Sequence, residues 1–99
     1  MINEIVSQLV VWEQDFAKCY PKLAARSRPV TAEGDASGFT SMETYARGEL
    51  LTYPARLLQL YTDYIKELAA EGKSLSVMVE DTMVRLYGYS SIEGTEKLL

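Results

Sequence analysis

The sequence predicts an all-α domain, a small bundle of about four helical segments around a central helix kinked at a proline. Three observations carry that prediction. The stretch from Thr40 to Gly72 has apolar residues at helical spacing over most of its length. Residues 2–18 show the same period, with Ile2, Ile5, Val6, Leu9, Trp12 and Phe16. No segment reads clearly as a strand with a second strand to pair with.

In the central stretch, Leu50, Tyr53, Leu57, Tyr61, Tyr64 and Leu68 fall on one line at about 100° per residue. Leu51, Leu58 and Ile65 form a second line beside it. The polar side carries Thr52, Arg56, Gln59, Asp63, Lys66 and Glu67. An apolar arc of about half the circumference exceeds the roughly 100° stripe of a surface helix, so partners are expected on two sides. Thr40 with Glu43 makes a capping-box pattern, and Ser41 is the competing cap. Gly72 can close the helix in a left-handed conformation. Pro54 removes a donor and clashes with the carbonyl of Leu50, which predicts two pieces at roughly 41–52 and 53–71.

The first helix is expected over residues 2–18. Pro21 ends it or starts a short turn through Lys22–Arg26. Residues 27–39 read as a loop that crosses one end of the bundle or stays flexible. Residues 74–88 fit a helix stripe through Leu75, Val79, Thr82, Met83 and Leu86, and also fit strand alternation. A lone strand would lack a partner, so helix is expected, capped by Ser74 or Ser76 and stopped by Gly88. The tail is expected to add a fraying turn from Ser91. The expected core is Ile5, Leu9, Trp12, Phe16, Leu50, Tyr53, Leu57, Leu58, Tyr61, Tyr64, Ile65, Leu68, Val79, Met83 and Leu86.

Composition narrows the function. The 99 residues suit one domain, with 47% hydrophobic and 24% charged residues. A net charge of −4 argues against nucleic acid and against an anionic membrane surface. No apolar run approaches the ~20 residues of a membrane span, and no secretory signal is read at the N-terminus. Cys19 is single, which suits a reducing cytoplasm, and it reads as a small half-buried packing residue. There is no histidine. That removes Ser-His and Cys-His nucleophile pairs, histidine zinc sites and Glu-x-x-His di-iron motifs. No metal site, cofactor or catalytic residue is expected, and the balance lies against an enzyme.

Candidate site residues are few. Glu13 falls inside the apolar arc of the first helix, where a carboxylate must reach water, find a partner or shift its pKa upward. Glu43 and Arg47 are spaced to pair near the start of the central stretch. If the first helix packs beside them, Glu13 and Arg47 can form a polar network with Tyr45 or Tyr53. Tyr53, Tyr61 and Tyr64 share the apolar side of the central stretch and can line a ligand pocket. Asp63 and Glu67, like Glu80 and Asp81, read as solvated charges. Lys18, Lys22, Arg26 and Arg28 read as cations near a helix C-terminus, or as a patch for an acidic partner.

Tyr53, Leu58, Tyr61 and the run Ala70, Glu71, Gly72, Lys73, Ser74 and Leu75, with Phe39 and Met42 upstream, resemble the pattern of a family of small bacterial helical domains of unknown function. Trp12, Glu13 and Phe16 are similar to that family's acidic-aromatic opening. The resemblance covers about half the chain; the loop at 27–39 and the segment after Val77 depart from it. It implies a helical fold and brings no activity. The expectation is therefore a cytoplasmic interaction or accessory module that forms a homo-oligomer, a dimer, or binds another protein. The alternative is a small-ligand-binding bundle with Tyr53, Tyr61, Tyr64 and Glu13 in its pocket. A third reading makes Glu13 an acid or base and requires its pKa to lie well above ~4.3.

Overall fold

The computed structural model describes residues 1–38 and 40–99, and at 36 and 37 it describes the backbone alone. Phe39, part of the family resemblance, lies outside the described residues. The elements are α1 (Ile2–Cys19), α2 (Pro21–Ala25), a 3-10 helix (Ala32–Ser37), α3 (Met42–Leu50), α4 (Ala55–Ala70), α5 (Leu75–Leu86) and α6 (Ile92–Leu98). There is no strand among the described residues, so the 74–88 segment is helix.

The hub is α1, which packs against α2, α3, α4 and α5. The 40–72 stretch is thus divided at Pro54, as its sequence predicts, but its two halves flank α1 rather than forming the hub. The main core joins Ile5, Val6 and Trp12 of α1 with Leu50, Leu58, Ile65 and Leu68. A second cluster joins Phe16, Leu23, Val84 and Ile92. Cys19, expected to be half-buried, is exposed at the last position of α1.

Proline and glycine set the breaks. Tyr20, ahead of Pro21, adopts φ −134° and ψ 66°, outside the helical region that proline denies its predecessor. Pro21 then opens α2, where a missing N–H costs nothing. Pro54 precedes α4 with an extended ψ of 155°. Gly72 takes φ +72°, and Lys73 N–H returns to the Leu68 carbonyl, closing α4 in a Schellman motif. Gly88 and Tyr89 close α5 in the same way.

Residues 29–35 are tied to the start of α3. Met42 and Glu43 amides donate to the carbonyls of Pro29 and Val30. The Asp35 carboxylate accepts from Ser41 N–H (2.7 Å) and the Thr44 hydroxyl (2.6 Å). Those bonds, the Thr44 one foremost, hold the Asp35 carboxyl below its usual range. Ser41 caps α3 by accepting from Thr44 N–H (3.1 Å), so Ser41 rather than Thr40 is the cap. Glu43 turns instead to the Ala32 amide (2.8 Å). The segment serves as an N-terminal cap for α3 and occupies its orphan donors.

The tail forms a seven-residue helix packed on the rest of the chain. Ser91 caps α6, and Ile92 and Thr95 are buried. Glu96 reaches back to α2, accepting from Lys22 N–H (2.9 Å) and Leu23 N–H (2.9 Å). The Tyr20 hydroxyl donates to Glu93 (3.0 Å).

Of the expected core, Ile5, Trp12, Phe16, Leu50, Leu58, Ile65 and Leu68 are buried, while Leu9, Tyr53 and Tyr61 pack partly buried against them. Leu57, Tyr64, Val79, Met83 and Leu86 are exposed instead. The cause is the number of neighbours. α4 has one extensive partner, α1, and one partner covers one stripe: Leu58, Thr62, Ile65 and Leu68. Thr62 joins that stripe because its hydroxyl is satisfied by the Leu58 carbonyl (2.8 Å). α5 turns Ser76 and Val84 inward, and its Val79–Met83–Leu86 line faces out.

Candidate functional site

A groove of about 420 Å³ opens between α1, α3 and α5, with Tyr61 of α4 in its wall. α1 contributes Leu9 and Glu13, one turn apart. α3 contributes Met42, Tyr45, Ala46, Glu49 and Leu50, the i, i+3, i+4, i+7, i+8 face of a helix. α5 contributes Leu75, Ser76 and Val79. The lining is apolar and aromatic, with two carboxylates.

Tyr53 stands at the margin. Its hydroxyl donates to Glu49 (2.9 Å), and its ring lies 6.5 Å from that of Tyr61. The bond to Glu49 raises the Tyr53 pKa. Burial raises that of Tyr61, helped by the Glu49 charge. A narrower cavity of about 30 Å³ adjoins the groove through Glu13 and Ser76, and reaches Glu80, Arg28, Phe16 and Val30. Burial, and then the charge of Glu13, push the Glu80 carboxyl above its ordinary value. The Arg28 guanidinium lies over the Tyr45 ring, 4.6 Å from its centre.

The residues expected from sequence therefore part company. Glu13 and Tyr61 line the groove, and Tyr53 touches it through Glu49. Arg47 is elsewhere: its guanidinium donates to Asn3 (2.6 Å) and sits 3.7 Å from Glu43, so it ties α3 to the first turn of α1. The expected Glu43–Arg47 pair forms; a network joining Arg47 to Glu13 does not. Tyr64 is exposed on the outer side of α4. Glu49 is a groove residue that the sequence reading does not single out, and Arg28, expected in a basic patch, lies instead over Tyr45 at the groove. The signal for Glu49 was available, since it follows Met42 and Tyr45 at i+7 and i+4. Glu80, read as solvated, is half-buried because α5 presents its Ser76–Glu80–Val84 line to its neighbours. Asp81 keeps a surface pairing with Arg85 (3.0 Å).

Among the described residues no group of three or more His, Cys, Asp or Glu side chains could hold a metal ion. No helix is long and apolar enough to cross a membrane among those residues. What the groove offers is apolar surface, tyrosine rings and two carboxylates.

Residues 1–97 match a family described as protein of unknown function, DUF4125. The chain belongs to that family. The match spans nearly the whole chain, twice the share covered by the residues behind the sequence resemblance, and the family, like that resemblance, brings no activity. No curated protein and no solved structure matches the chain.

Proposed function

We propose that this chain is a non-catalytic interaction module that self-associates through the outer strip of α4. The carrying observation is the division of the α4 apolar arc. Leu58, Ile65 and Leu68 are covered by the core around α1, while Leu57, Leu60 and Tyr64, beside them on the same arc, remain 42%, 57% and 44% exposed. The strip runs at spacings of three and four, the period of a helix-pairing seam.

Shape and area support the same reading. The molecule is a slab of 42 × 34 × 21 Å, about two helices thick. Its radius of gyration is 14.2 Å, against about 12.6 Å for a compact chain of this length. Its accessible surface is 6537 Å², roughly 900 Å² above that of a typical monomer of its mass. A standard interface takes about 800 Å² from each partner. Charge favours a second copy as the occupant. Arg56 flanks one end of the strip and Glu67 the other, so two antiparallel α4 helices related by a two-fold axis bring Arg56 of each toward Glu67 of its mate.

Sedimentation equilibrium tests this. Wild type is expected to dimerise. Leu60→Glu is expected to weaken the dimer about 100-fold, because the change enters the interface twice, while leaving the helical circular dichroism intact. A wild-type chain that stays monomeric at high micromolar concentration overturns the proposal.

A further inference from the structure

We propose that the groove between α1, α3 and α5 binds an organic cation, an alkylamine or alkylguanidinium head carried on an apolar stem. Negative charge stands on two sides of it: Glu49 on the α3 wall, and Glu13 on α1, which also faces Glu80 across the narrow adjoining cavity. Among the described residues no cation lies within ion-pair distance of any of the three. Burial first, and then the charge of Glu13, raises the Glu80 pKa.

Charge alone would describe an acidic surface. The tyrosines make it a site. Tyr45 and Tyr61 both line the groove, and tyrosine rings attract cations. The molecule already uses this preference at the rim, where the Arg28 guanidinium stacks on Tyr45. Leu9, Leu50 and Leu75 supply apolar surface for a stem. The volume, about 420 Å³, lies in the range of small-ligand sites. Among the described residues Arg28 at the rim is the one cation beside the groove, so the two carboxylates of the lining disfavour an anion, and a neutral alcohol brings them no counter-charge.

This site is independent of self-association, since the strip that would pair the α4 helices is Leu57, Leu60 and Tyr64, none of which lines the groove. The test is an amide NMR titration of the full chain with agmatine at 150 mM salt, beside n-butanol as the neutral control. Saturable shifts confined to Glu13, Tyr45, Glu49, Tyr61 and Val79 are expected. Glu13→Gln and Glu49→Gln should each weaken binding about tenfold, and Arg28→Ala should leave or tighten it. A second arm uses a capped peptide with one arginine between leucines. Tighter binding than agmatine assigns the cation to a partner's side chain; weaker binding assigns it to a free small molecule. Shifts that never saturate, that spread over the acidic surface, that n-butanol reproduces, or that survive both Gln variants unchanged overturn the proposal.

Discussion

α4 and α6 are held in opposite ways. α4 runs for 16 residues, and its apolar arc alone predicts a helix. Its polar tie to α1 is an exposed Lys66–Glu4 pair (3.4 Å), worth little at the surface, and half its apolar arc is left open. α6 has seven residues, too few to persist alone in water. It is ordered by contacts more than 70 positions away in sequence: Glu96 on the amides of Lys22 and Leu23, Glu93 on Tyr20, and Ile92 in the second core. Periodicity makes a helix; long-range contacts decide where it goes and which side it shows.

The largest test of this contrast lies on the covered side of α4. Ile65→Ala should cost about 3 kcal/mol in urea unfolding, the price of a cavity in the main core. Leu60→Ser, five residues earlier on the open side, should change the unfolding of the isolated monomer by less than about 0.5 kcal/mol. Equal losses at the two sites would show that the outer strip is packed within one chain. Next comes Glu96→Ala, which leaves the first amides of α2 without their carboxylate. A loss of about 1 kcal/mol is expected, with hydrogen-exchange protection falling in α6 and not in α4. Protection that falls everywhere would make α6 part of the global folding unit.

The smallest effect concerns Glu80, where a polar contact between helices works against the fold. Its folded pKa is raised, so its favourable contribution is present below the unfolded value and is lost as pH rises through the folded value. Glu80→Gln should therefore raise Tm at pH 7 by about 2 °C, a modest gain because solvent screens the exposed part of the group. The gain should vanish near pH 4. A stabilisation unchanged at pH 4 would point to packing rather than charge.

Much of this was legible from residues. The breaks at Pro21 and Pro54 follow from the proline ring. The caps at Ser74 and Ser91 follow from hydroxyls that reach amides three positions on. Facing was harder to read. Val79, Met83 and Leu86 form a better apolar line than Ser76, Glu80 and Val84, yet the second line turns inward. A hydrophobicity pattern ranks the sides of a helix but does not see the neighbour that must fit against them. The groove shows the same limit. Glu13 stood out because it interrupts an apolar stripe. Glu80 and Arg28 sat in polar settings, and nothing local marked them as neighbours of Glu13.

The sequence by itself determined the helical class, the division of 40–72 at Pro54, the closures at Gly72 and Gly88, and the absence of histidine chemistry. These are local: each depends on bonds and sterics within about one helical turn. Only the tertiary structure decided that α1 is the hub, that α6 is anchored on α2, that α4 keeps an uncovered strip, and that Glu13 and Glu49 line one tyrosine-walled groove with Glu80 in the cavity beside it. Those outcomes depend on which faces meet, and the energy of a meeting belongs to both partners at once.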